Sequence, residues 1–142
     1  MIYLTSNAIN TVTLTLQENS AIYSLSAMQP YYLFELTNES TNQVIYMVAD
    51  NISPTSARTR YDQFLVTLTG ATYQNLTGGT LNMPNGIWWQ YVAYEQYNRN
   101  NLNPSLAYNI VEVGKVFVDN THISPIVSYT SNDNKQYISY NN

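Results

Sequence analysis

The sequence predicts an all-β domain: an antiparallel β-sandwich, Ig-like or jelly-roll-like, with an extended C-terminal arm. Three observations predict it. Aromatic and β-branched residues alternate with polar ones in short runs, most clearly at 87–95 and 110–118. Turn signals separate the runs at intervals of about 10 to 15 residues. No segment sustains the 3.6-residue period of an amphipathic helix.

In chain order, residues 11–16 place Val12, Leu14 and Leu16 on one face and three threonines on the other, which is a strand with one wet face. Residues 31–37, led in by Pro30, form the second strand. The polar cluster 38–42 is a turn, and 43–49 returns as the third strand of a hairpin. Residues 50–60 carry Pro54 and small polar residues and read as a loop. Residues 63–69 are the fourth strand, followed by a turn region with Gly78-Gly79 and a short strand at 80–83. Pro84-Asn-Gly86 turns the chain into the strand at 87–95. Asn98 to Tyr108 is a polar bend in which Pro104 starts one helical turn with Asn103 as its cap. The last core strand is 110–118, and Gly114 in its middle predicts a bulge or a close backbone approach. Leu102, Pro104 and Tyr108 match the Leu-x-Pro-x-x-x-Tyr form of a tyrosine corner, although Glu112 then falls where a core residue is needed.

The 142 residues divide into a sandwich domain at 1–119 and an extension at 120–142. The extension sets Tyr129, Tyr137 and Tyr140 among Ser and Asn, and also keeps Ile123, Ile126, Val127 and Ile138. It reads either as a frayed tail or as an arm that orders on a neighbouring subunit with the tyrosines as anchors.

Composition narrows the function. Only 10% of residues are charged, against about a quarter in an average soluble protein. An AT-rich coding sequence accounts for much of the Asn but not for the shortage of Lys. A neutral polar exterior needs little desolvation when it meets another protein. The net charge is −4, and five Lys and Arg form no dense basic patch, which argues against binding nucleic acid. There is no cysteine, hence no disulfide framework and no thiolate metal site. The N-terminus has neither the basic nor the apolar region of a signal peptide, and no apolar run reaches the ~18 residues of a spanning helix. A soluble protein made in the cytoplasm and without membrane contact is expected.

No catalytic pattern stands out. His122 is the single histidine, and no Gly-x-Ser-x-Gly elbow accompanies it. Glu95 and Glu112 become neighbours if their strands pair, the minimum for a glycosidase, but one carboxylate per strand is commonplace. No calcium loop or phosphate loop is present, so no cofactor or metal is expected. Sequons at Asn38, Asn51 and Asn75 are what chance gives in so Asn-, Ser- and Thr-rich a chain. Trp88 and Trp89 are adjacent on a strand and therefore face opposite ways, one into the core and one outward. The outward one is a candidate hot spot for a protein partner, or part of a sugar-binding platform.

Several segments in order resemble a family of short structural proteins of tailed phages of Bacteroidetes, including crAss-like phages. They are the opening Met1–Leu16, Tyr31–Asn42, Arg60–Phe64, Gly86–Gln96, Asn101–Pro104, Val111–Val116 and the tyrosine-spaced tail. The resemblance implies a non-enzymatic virion component, located in the virion, whose partners are other virion proteins such as the major capsid protein or head–tail proteins. An auxiliary capsid protein is the favoured role. A head–tail connector or tail accessory protein, and a module for host glycan, are the alternatives. The candidate interface is Trp88, Trp89, Tyr129, Tyr137 and Tyr140.

Overall fold

A computed structural model describes residues 1–26, 29–52, 61–72 and 74–119. It is an all-β sandwich of two sheets. The strands are β1 (Ile2–Thr5), β2 (Ile9–Leu14), β3 (Tyr31–Asn38), β4 (Val44–Val48), β5 (Asp50–Asn51), β6 (Asp62–Leu68), β7 (Thr80–Leu81), β8 (Trp88–Gln96) and β9 (Asn109–Asp119). A 3-10 turn at Leu16–Asn19 and a short helix α1 at Ala21–Ser26 carry the chain from β2 to β3. The larger sheet runs β1-β9-β8-β3-β4. In the smaller sheet, β6 is flanked by β2 on one side and by β5 and β7 on the other.

Alternation decides what fills the space between the sheets. From the larger sheet, Tyr32, Phe34, Leu36, Trp89, Tyr91, Ala93 and Val116 point inward, and from the smaller one Val12, Leu14, Phe64, Val66 and Leu68. Phe34 and Phe64 meet edge to face across the gap at 5.4 Å, which joins the sheets by ring contact as well as by area.

The long central pairings are antiparallel, as alternation predicted. Two marginal pairings are parallel: β1 on β9 and β7 on β6. They carry no local sequence signal: β1 and β9 lie at opposite ends of the described residues, and β7 contributes only two residues.

The expected strand at 11–16 lies two residues earlier, at Ile9–Leu14. The Gln17 amide donates to the Asp62 carboxylate at 2.8 Å, which turns the chain into the 3-10 turn while Leu16 still enters the core. Part of the expected loop at 50–60 pairs with β6 as β5; residues 53–60 lie outside the described residues. Helix α1 was not expected, since six residues are too few to display a helical period.

The hairpin turn forms as predicted. Asn38 Oδ1 accepts from the amides of Ser40 and Thr41, and Asn42 adopts φ +58°. Asn103 caps the turn at Pro104 by accepting from the Ser105 amide at 3.0 Å. The tyrosine corner does not form. Tyr108 is 53% exposed and lies edge-on to Tyr97 at the surface.

Gly114 is a close approach. A Cβ there would stand 2.6 Å from Tyr91 Cε1. The bare backbone lets the Tyr91 ring lie across β9 and its hydroxyl donate to Glu112 Oε1. The bulge is three residues away. Ala93 faces Glu112 and Tyr94 faces Ile110, so Val111 is the extra residue. The insertion turns Val111 into the core and accommodates Glu112 on the inward face.

Candidate docking surface

The outward face of the larger sheet carries an aromatic cluster built by register. In β1, β9 and β8, Tyr3, Phe117 and Trp88 each alternate with core residues and so point away from the sandwich. The ladders set Tyr3 opposite Phe117 and Phe117 opposite Trp88. Ring centroids are 6.3 Å apart for Tyr3 and Phe117, 4.9 Å for Phe117 and Trp88, and 6.5 Å for Tyr3 and Trp88. Tyr3 is 66% exposed and Trp88 37%. Val113 is exposed on the same face. Lys115, also outward, forms an ion pair with Glu39 at 2.8 Å, so this positive charge has a partner.

The ring planes are inclined by 47° to 68° to one another. The cluster is therefore a ridge of edges and not a flat platform. Such a shape fits side chains that interdigitate from a protein surface better than the flat apolar face of a sugar ring.

Of the sequence-predicted interface, Trp88 belongs to this surface. Trp89 does not: it is fully buried between the sheets and cannot touch a partner. Tyr129, Tyr137 and Tyr140, with the arm and His122, lie outside the described residues. Tyr3 and Phe117 were missed. Phe117 had a signal, since Val116 and Val118 on either side are core-like. Tyr3 had none, because its place depends on the parallel pairing of β1.

The acidic residues that a hydrolytic reading would need are bonded internally. Glu95 is fully buried and accepts from Ser20 Oγ at 2.6 Å and from the amides of Ala21 and Ile22 at 3.1 Å each. Glu112 accepts from Tyr91. Asp62 accepts from Gln17 and, at 3.0 Å, from Asn51 Nδ2. Both buried carboxylates thus hold the amides that open the 3-10 turn and α1, where the helical dipole favours negative charge. A cavity of about 220 Å³ lies nearby, lined by Tyr31, Tyr32, Phe64, Asn51 and the Asp50–Arg99 ion pair among others. Among the described residues no group of three His, Cys, Asp or Glu is placed to hold a metal, and no helix is long and apolar enough to cross a membrane.

Burial shifts three of these groups. It is the largest cause that raises the Tyr32 and Tyr91 phenols well above their ordinary value; the charges of Asp62 and Glu95 add to it for Tyr32, and the bond to Glu112 for Tyr91. Burial also raises the Asp62 carboxyl above its ordinary 3.8, against the hydrogen bonds that pull it down. A carboxyl raised on folding holds its proton longer in the native state than in the unfolded chain. Its contribution therefore falls as pH rises from the ordinary carboxylate value through the raised one. We expect Asp62→Asn, which still offers an acceptor to Gln17, to gain on the natural protein as pH rises from acid toward neutrality. Urea unfolding of both proteins across that range checks this; a gap that does not change with pH rejects it.

No protein-family model, no curated protein and no solved structure matches this chain.

Proposed function

We propose that the chain is a non-enzymatic structural protein of a tailed-phage virion, an auxiliary capsid protein that docks on the shell through Tyr3, Trp88 and Phe117. The observation that carries the docking reading is the exposed three-strand aromatic ridge beside a neutralised lysine, on a chain with very few charges. Aromatic anchors with little charge to desolvate are what a protein interface centre requires. The virion assignment rests on the family resemblance of the ordered segments. The internal bonding of Asp62, Glu95 and Glu112 supports a structural role for these carboxylates.

Mass spectrometry of purified particles of the encoding phage is expected to find the chain in many copies. The combined variant Tyr3→Ser and Trp88→Ser should fold, because both side chains are exposed. Its affinity for particles stripped of the protein should drop by about thirtyfold or more, the effect of losing a hot spot worth about 2 kcal/mol. Unchanged occupancy with this variant would remove the ridge from the reading. A copy number matching one ring at a single vertex would move the site to the head–tail connection.

A further inference from the structure

A sheet edge offers unpaired main-chain groups to any extended segment that reaches it. Three edges here are managed. On β1, the outward Thr5 amide donates to Asn10 Oδ1 at 2.7 Å, and Asn10 Nδ2 donates to the Thr5 carbonyl at 3.1 Å. The 3-10 turn at Leu76–Gly78 packs against β4. The far edge of the smaller sheet consists of β5 and β7, of two residues each, with Asp50 tied to Arg99.

The edge of β2 is different. The Leu68 amide donates to the Ala8 carbonyl at 2.9 Å, and these residues stand opposite each other when the β2–β6 register is continued by one step. The phase of the ladder follows. Residues 10, 12 and 14 exchange bonds with β6, whereas Ile9, Thr11 and Thr13 direct both amide and carbonyl away from it. On the other side of β6 the same phase appears, with the Thr67 amide donating to the Gly79 carbonyl and the Gln63 carbonyl accepting from the Ile52 amide. Among the described residues nothing bonds to the outward groups of Ile9, Thr11 and Thr13. Their side chains are exposed, Ile9 at 71%. The strand Ile-Asn-Thr-Val-Thr-Leu holds no charge, no proline and no bulge, the features that usually protect an edge.

We propose that β2 pairs antiparallel with β2 of a second copy about a twofold axis through Thr11. The three outward residues are symmetric about Thr11, so a twofold axis there sets Thr11 against Thr11 and Ile9 against Thr13, each donating and accepting across the axis. An uncharged strand brings no like charges together when it meets itself, and the facing pairs are β-branched on both sides, a favourable cross-strand combination. The two smaller sheets become one continuous sheet. The pairing uses main-chain groups of β2, whereas the docking reading uses side chains of Tyr3, Trp88 and Phe117, so the two rest on different residues.

The test places charge on the axis. Thr11→Lys and Thr11→Asp each change an exposed side chain, and far-ultraviolet circular dichroism with urea unfolding should show both folded. In sedimentation velocity over a concentration series the natural protein is expected to dimerise in the micromolar range. Each variant alone should be monomeric there, with dissociation shifted by about a hundredfold, the effect of juxtaposed like charges. An equimolar mixture of the two variants should recover the dimer as a heterodimer, and Trp88→Ser should dimerise like the natural protein. A natural protein that stays monomeric up to high micromolar concentration overturns the proposal. So does a Thr11→Lys variant that still dimerises, or a mixture that stays monomeric.

Discussion

Replacing Trp89 with alanine should cost about 4 kcal/mol of folding stability, whereas the same change at its neighbour Trp88 should cost less than about 1 kcal/mol. The two residues are identical and adjacent, and only the direction of the pleat separates them. Trp89 is fully buried and stands between Asn38 of β3 and Val116 of β9, so its loss opens a large space inside the core. Cavity formation adds to the lost transfer energy because the two sheets, held by their own ladders, close over the space only in part. Against a total stability of about 5 to 15 kcal/mol for a domain, that is a large share. Trp88 keeps one face in water and loses mainly its contact with Phe117. A further variant separates shape from polarity. Trp89 Nε1 is buried without a hydrogen-bond partner, so Trp89→Phe removes volume and an unsatisfied donor together. Its cost should be about 1 to 2 kcal/mol, below what volume alone gives. Urea unfolding of the three variants checks the order. Equal costs at 88 and 89 would refute the assignment of inner and outer faces.

That inner and outer faces were legible at all follows from the period of two. Wherever a strand exceeds about five residues with one wet face, the alternation fixes which side chains are buried. This held for β6, β8 and the end of β9; in β3 it placed Tyr32, Phe34 and Leu36 in the core, but Leu33 on the other face is fully buried as well. It failed at the start of β9, where Ile110 and Val113 are exposed and Val111 is buried. One inserted residue reverses the parity, and no local pattern at Val111 announces the insertion. Gly114 did announce something, and of the two readings open for it the close approach is the one realised. The docking ridge was half legible. Trp88 followed from its pairing with Trp89 in one strand. Joining it to Phe117 needs the register of β8 on β9, and joining Tyr3 needs a parallel contact between the two ends of the described chain. Register of that kind depends on tertiary fit, which a single strand does not encode. The same holds for α1. Its start is set by Ser20 together with Glu95, which is 75 residues away in sequence.

Glu95 carries the second large effect. Glu95→Ala should lower stability by about 3 kcal/mol, since it withdraws an acceptor from one hydroxyl and two amides inside the protein, where each lost partner costs about 1 kcal/mol or more. Ser20 links the parts. Its Oγ donates to Glu95 at 2.6 Å and accepts from the Tyr23 amide at 3.1 Å, so it caps α1 while anchoring the carboxylate. Glu95 stands opposite Tyr32 in the β3–β8 ladder, and α1 leads directly into β3. The carboxylate thus fixes where the chain crosses from one sheet to the other. Glu95→Gln retains one carbonyl oxygen but presents an amide group to N–H donors. It should fall between the natural protein and alanine, at about 1.5 kcal/mol. Ser20→Ala should cost about 1 kcal/mol, the value of a lost cap. If the two act as one unit, the double variant Ser20→Ala, Glu95→Ala should cost clearly less than the two single changes together. Strict additivity in the double-mutant cycle, or a cost below about 1 kcal/mol for Glu95→Ala, would mean that the crossover is held by packing of Leu16 and Ile22 and not by the buried carboxylate.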